Sequence, residues 1–307
     1  MNNRFLLSAL VAFLIPTSAQ YLPDITSFAD TKTLVLYDSA SGAIPGAPLM
    51  GFLGFPQDAA SLIYDDGATL LDTTLSGSDT YAGWVATGAA SPGFPILDRT
   101  AGFQVNFTIQ VENESHESNQ RSGFSMVVLG QDARGIELAF WEDQIWAQSD
   151  GSTGGLFSHA EGVPFVTTAG LVEYQLTIAG DTYTLSANHE PILTGPVRDY
   201  SAFDGFPDPY ETPNFLFLGD DTTSAQARLR LSFVSITGTD PGLPTAESTS
   251  SGTNTPLPTV TAPPLPSVTP IPSPTPTGTA LELCPSGWIL LIVAFFPSWM
   301  SKKIRAH

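Results

Sequence analysis

Apolar and polar residues alternate along much of this chain with a period of two, and no segment carries the 3.6-residue stripe of an amphipathic helix. The runs TLVLY (33–37), GFQVNFTIQVEN (102–113), SGFSMVVLG (122–130), LVEYQLTIA (171–179), TYTLSAN (182–188), NFLFLG (214–219) and ARLRLSFVSITG (227–238) read as strands. In the last, Ala227, Leu229, Leu231 and Phe233 share one face while Arg228, Arg230 and Ser232 take the other, as expected of a sheet with one wet face. Clusters of Gly, Pro, Asp and Asn separate the runs. More than ten strands in about 220 residues, without a repeat of fixed period, predict an all-β fold: two antiparallel sheets packed as a jelly-roll sandwich.

The densest stretch is RGIELAFWEDQIWAQ, Arg134 to Gln148. A hairpin with a two-residue loop at Glu142 and Asp143 pairs Trp141 with Gln144, Phe140 with Ile145, Ala139 with Trp146, Leu138 with Ala147 and Glu137 with Gln148. One face is then wholly apolar: Ile136, Leu138, Phe140, Ile145 and Ala147. The other carries Glu137, Ala139, Trp141, Gln144, Trp146 and Gln148. A three-residue loop would mix the faces, so the pattern itself selects the even count.

Both ends of the chain depart from this texture. Residues 1–19 (MNNRFLLSALVAFLIPTSA) combine Arg4, an apolar run from Phe5 to Ile15 and small residues at Thr17 and Ala19, the layout of a cleaved secretory signal. Residues 241–283 form a Pro/Thr/Ser-rich stalk, with eleven prolines between Pro241 and Pro276, that cannot bury enough apolar surface to fold. Residues 284–307 contain an apolar run, Trp288 to Met300, edged by Trp288 and Trp299 and closed by Lys302, Lys303 and Arg305. That predicts either a retained membrane anchor, with a helix in the membrane, or a sorting tail removed by an envelope protease. Cys284 precedes the run and reads as an ordinary interfacial residue; a bacterial lipoprotein cysteine belongs at the signal-peptide end. The expected domain is 20–240, exported to the cell envelope or surface and tethered at its C-terminal side, or secreted after tail processing.

Between residues 20 and 240 there are 28 acidic and 7 basic side chains, a net of −21 (7 − 28). Such a charge excludes a protein that holds nucleic acid by neutralising phosphates, and equally one drawn to anionic lipid surfaces. With a single cysteine, the domain must stand on its core and not on disulfides.

Candidate chemistry centres on the polar hairpin face. Flat aromatic rings stack on the apolar faces of sugars, and Gln or Glu beside them bond hydroxyls, so Trp141, Trp146, Glu137, Gln144 and Gln148 form a candidate glycan-binding set. Sandwich glucanases place alternate acids on one strand, but here the alternate positions are Glu137, Ala139 and Trp141, and Glu142 falls in the turn. No catalytic residue is assigned. His116, His159, His189 and His307 lack metal-ligand spacing. Acidic turns at YDDG (64–67), DGFPDPYE (204–211) and GDDTTSA (219–225) raise a structural calcium ion, with Asp220 and Asp221 as candidate ligands; solvated turn aspartates are the plainer account.

The segments TLVLYDSASGAIPG, ENESHESNQRSGFSMVVLGQDARGIELAFWEDQIWAQ and DPYETPNFLFLGDDTTSA resemble the choice-of-anchor Y domain of bacterial envelope proteins, itself similar to concanavalin A-like lectin and glucanase sandwiches. The resemblance covers about residues 30–238. It implies a sandwich displayed on a surface through a variable C-terminal attachment signal; the Pro-Glu-Pro sorting motif common in such tails is absent here. The family brings no catalytic residues, and its kinship with lectins implies a glycan ligand. The expected function is a surface-tethered module binding envelope or matrix polysaccharide, with a structural surface protein as the alternative and glycoside hydrolysis behind both.

Overall fold

The computed structural model describes residues 31–55, 60–75, 81–152, 154–205 and 207–242; the expected signal peptide, stalk and C-terminal tail lie outside them. Among the described residues are fifteen strands and one turn of 3-10 helix, Ser39–Ser41. In chain order the strands are β1 (Thr31–Asp38), β2 (Gly51–Phe55), β3 (Ser61–Asp65), β4 (Ala68–Asp72), β5 (Tyr81–Thr87), β6 (Phe103–His116), β7 (Ser125–Leu129), β8 (Gly135–Phe140), β9 (Gln144–Asp150), β10 (Leu156–Pro164), β11 (Val172–Ala179), β12 (Thr182–Ala187), β13 (Glu190–Pro196), β14 (Phe215–Asp220) and β15 (Ala225–Thr239).

They form two antiparallel sheets. Sheet A runs β13-β12-β11-β6-β15-β4-β3, with β1 alongside the C-terminal part of β15; sheet B runs β10-β9-β8-β7-β14-β5-β2. Alternate side chains from the facing sheets make one core, in which β6 contributes Phe103, Val105, Phe107, Ile109 and Val111 and β8 contributes Ile136, Leu138 and Phe140. Each of these, fully buried, contributes roughly 1.5–3 kcal/mol, which is how a domain without disulfides stands. The expected two-sheet sandwich is the fold.

The seven runs read from sequence lie in β1, β6, β7, β11, β12, β14 and β15. The face assignment within β15 needs one correction. Its pairing with β6 slips between Leu231 and Phe233, so beyond that bulge the large apolar residues that are buried are Val234 and Ile236, and Phe233 is only half-buried. An inserted residue reverses every later side chain, which strict alternation cannot anticipate. The remaining strands are weak signals for identifiable reasons. β4 (ATLLD) is buried on both faces and does not alternate, β10 (LFSHAEGVP) is polar and irregular, and β13 opens on Glu-Pro.

Candidate functional site

The hairpin folds as its pattern requires. Leu138 pairs with Ala147, Ala139 with Trp146 and Phe140 with Ile145, and the Trp141 N–H donates to the Gln144 carbonyl over 2.8 Å. Glu-Asp is a poor turn pair, and its support is tertiary: the N–H groups of Phe165 and Thr167 donate to the carbonyls of Asp143 and Glu142. The Glu142 carboxylate is also committed, accepting from Asn113 Nδ2 and the Glu114 N–H, each at 3.1 Å. It therefore fastens the hairpin to β6 and is not aimed at a cleft beside Glu137.

At the other end of the hairpin the Glu137–Gln148 pair is not joined directly. The Tyr200 hydroxyl sits between the strands, accepting from the Glu137 N–H at 3.1 Å and donating to the Gln148 carbonyl at 2.8 Å. Two residues earlier, Arg198 exchanges backbone hydrogen bonds with Gly135. The segment that carries Arg198, Tyr200, Phe203 and Tyr210 thus docks onto the start of β8 and lies with these residues over the face of sheet B that points away from sheet A. With Phe157 from β10 it supplies a second apolar cluster: Tyr200 and Tyr210 pack on Val127, Leu129 and Phe215, and the Phe157, Phe203 and Tyr210 rings lie 5.2–5.5 Å apart.

Across this sheet face the five hairpin residues separate into two groups. Trp146, at 0% exposure, and Glu137 and Gln148, at 2% each, are buried. Trp141 and Gln144 are half-buried at the rim. The two indoles meet edge to face at 5.5 Å, and each carries a histidine: His116 stacks on Trp141 at 4.2 Å and 9°, His159 on Trp146 at 4.2 Å and 13°. Gly162 lets His159 come this close, since a Cβ there would lie 2.8 Å from Trp146 Cβ and 3.2 Å from His159 Nε2. The Trp141 indole N–H donates to the Arg121 carbonyl at 2.8 Å, while Gln144 Nε2 is 3.3 Å from His159 Nε2. Three polar atoms of the same sheet face, Trp146 Nε1, Gln148 Oε1 and Ser125 Oγ, are buried without a hydrogen-bond partner. A buried donor or acceptor left in this state costs about 1–3 kcal/mol.

Acidic groups converge here that the sequence does not bring together. The Tyr210 hydroxyl donates to Glu137 Oε2 at 2.5 Å, and Asp221 lies near enough for its charge to act on Glu137. Burial, then the neighbouring Asp221 charge, pushes Glu137 well above the usual carboxylate range; Tyr210 and Arg121 act against the rise. Burial also raises Asp221, opposed by Ser125 and Arg121. Ser125 Oγ lies near that carboxyl without making a hydrogen bond to it. Nearby, burial raises Glu114 against bonds from His116 and the Gly123 N–H, and burial lowers His159.

Asp220 stands apart from Asp221. Its carboxyl is buried and accepts from the Thr73 hydroxyl at 2.8 Å and the Thr222 N–H at 3.2 Å, and burial raises it well above the ordinary value. The two adjacent carboxyls have different partners and do not converge on a common point. Among the described residues no group of three or more His, Cys, Asp or Glu is arranged to hold a metal ion.

His116, His159, Arg121, Tyr200 and Tyr210 carry this site and none was a sequence candidate. The histidines have no informative spacing, and stacking on an indole leaves no periodic trace. A faint signal exists for the two tyrosines: RDYSAFDGFPDPYE concentrates aromatic residues in a loop-forming segment, where solvent would not retain them.

No protein-family model matches the chain, and no curated protein matches it. Solved structures similar to it include a conserved carbohydrate esterase from the Shiga toxin-encoding bacteriophage phi24B, 14% identical with a TM-score of 0.43 over 68% of this chain and 100% of that one. Alginate lyase A1-II', of polysaccharide lyase family-7, is 11% identical with a TM-score of 0.40 over 69% of this chain and 95% of that one. The VIP36 exoplasmic/lumenal domain, in its Ca2+/Man2-bound form, is 10% identical with a TM-score of 0.39 over 69% of this chain and 90% of that one. Likeness at this level concerns sandwich architecture and does not extend to chemistry.

Proposed function

We propose that this chain is an exported, surface-tethered module of the choice-of-anchor Y type that binds an envelope or matrix polysaccharide at the Trp141 rim of sheet B. One observation supports the reading most: at the rim of this sheet face a half-buried indole stands with the half-buried Gln144 and two imidazoles around it. The part of the indole that stays accessible offers apolar surface to a sugar ring, and the Gln144 amide beside it can bond a hydroxyl. The stalk would hold the domain on the order of 100 Å from its root if fully extended at about 3.1 Å per residue.

Retention on a panel of immobilised polysaccharides tests this. Wild type is expected to be retarded on at least one, and Trp141→Ala to lose about tenfold in affinity, or about 1.4 kcal/mol. Equal retention of the two, or no retention on any matrix, would sink the proposal.

A purely structural surface protein is the second reading, favoured by the complete burial of Trp146 and the engagement of Glu137 by Tyr210. It predicts that no polysaccharide shifts the tryptophan emission or the melting temperature. Hydrolysis has less to stand on, with Glu142 tied to β6; loss of glycan cleavage in Glu137→Gln would be needed to restore it.

A further inference from the structure

The two imidazoles at the Trp141 rim are placed differently. His159 packs flat on the buried Trp146, and its Nε2 lies 3.3 Å from Gln144 Nε2. His116 closes β6, with its ring parallel to the Trp141 indole at 4.2 Å and its side chain 26% exposed. Its Nδ1 is 2.9 Å from Glu114 Oε2, whereas its Nε2 meets no partner among the described residues.

The neighbours of that ring assign its proton. The Glu114 side chain, 2% exposed, also accepts from the Gly123 N–H at 3.1 Å. A carboxylate only accepts, so Nδ1 must donate to it, and in the neutral ring Nε2 is then left as an acceptor. An acceptor at the surface calls for a donor, such as a sugar hydroxyl. Charge narrows the choice further. The Glu142 carboxyl accepts from the Glu114 N–H, so two carboxyls stand close to this ring. The Arg121 guanidinium is turned to the carbonyls of Gln120 and Phe157. A uronate or sulfated sugar would add negative charge beside the two glutamates, and a neutral sugar would not.

We infer that His116 Nε2 accepts a hydrogen bond from a hydroxyl of a neutral polysaccharide seated at the Trp141 rim, and that Glu114 is the positioning residue that keeps Nε2 in its accepting form. The inference rests on the glycan reading of that rim and adds to it the ligand's charge class and a contact atom.

Two measurements on the full chain in mild detergent test it. Long-range 1H–15N correlations of 15N-histidine-labelled protein at neutral pH report the tautomer, the His116 signals being those lost in His116→Phe. Wild type should carry the proton on Nδ1. In Glu114→Gln the Gly123 N–H takes the amide oxygen and leaves the amide N–H facing Nδ1, so the ring should switch to the Nε2-protonated form. Retention is then compared on immobilised β-glucan, mannan and galactan, all neutral, and on polygalacturonate. Wild type should be retained on at least one neutral polymer and not on polygalacturonate. His116→Phe keeps a ring against Trp141 but has no Nε2, and it and Glu114→Gln should each weaken retention about tenfold. Melting curves show which variants fold; should Glu114→Gln not, His116→Phe at its exposed position decides alone. If Trp141→Ala weakens retention and His116→Phe does not, the glycan reading stands and this inference falls. It falls too if wild-type His116 is protonated on Nε2, if Glu114→Gln switches the tautomer without losing retention, or if polygalacturonate retains wild type as well as the neutral polymers do. Retention on no polymer overturns both.

Discussion

Glu137 shows how much one side chain's role depends on its surroundings. In the sequence it is the lone acid on a tryptophan-bearing face; in the fold its carboxyl is buried, bonded by Tyr210 and close to Asp221. Its pKa is raised in the folded state, so folding retains a proton that the unfolded chain releases near the ordinary value of 4.5. The stabilising contribution is therefore complete below about pH 4.5 and is lost as pH rises through the folded value. Melting temperature should fall across that window, and Glu137→Gln, which keeps the shape and the bond from Tyr210, should flatten the decline. An unchanged slope in Glu137→Gln would remove this carboxyl from the account. Tyr210→Phe, which strips the donor from a buried acceptor, should cost about 1–2 kcal/mol in urea unfolding at pH 5.

At the scale of elements, the hairpin and its neighbours depend on close backbone approach. A Cβ on Gly135 would overlap the Val128 carbonyl oxygen on β7, and the same residue holds Arg198 by two backbone hydrogen bonds. Gly135→Ala must therefore push β8 from β7 or release Arg198, and a loss on the order of 3 kcal/mol is expected by chemical denaturation. A cost below about 0.5 kcal/mol would show that the contact relaxes freely. The hairpin register was legible because its two faces differ so completely in polarity. The bulge in β15 was not, since a register slip is decided by the partner strand and leaves the local composition unchanged.

Across the whole molecule, Glu161 on β10 links the layers. It accepts from both Arg198 nitrogens, at 3.0 and 2.5 Å, and from the Tyr183 hydroxyl of sheet A at 2.7 Å. The Arg198 side chain is 5% exposed, so Glu161→Ala would strand a buried cation, at a cost of about 3 kcal/mol. Thermal unfolding of this variant should also show β10 loosening first, as earlier exposure to acrylamide of Trp146, on which His159 of that strand stacks. A domain with a net −21 should in addition gain stability as salt screens its self-repulsion, read as a rise in melting temperature between about 0.01 and 0.15 M NaCl, where the Debye length drops from about 30 to 8 Å.

The sequence by itself determined the fold class, seven of the strands, the hairpin register and the acidic balance, because each is written in local polarity or composition. It also singled out Trp141, Trp146, Gln144, Gln148 and Glu137 as one face. Only the tertiary structure decided which of them meet solvent. Tyr200 and Tyr210 come from some sixty to seventy residues further along the chain, and they bury Glu137 and Gln148 by inserting hydroxyls where the hairpin opens. The histidines over the indoles arise from non-local packing in the same way. Alternation reports which side of a strand a residue occupies; what covers that side is set by segments whose arrival leaves no mark on the strand's own pattern.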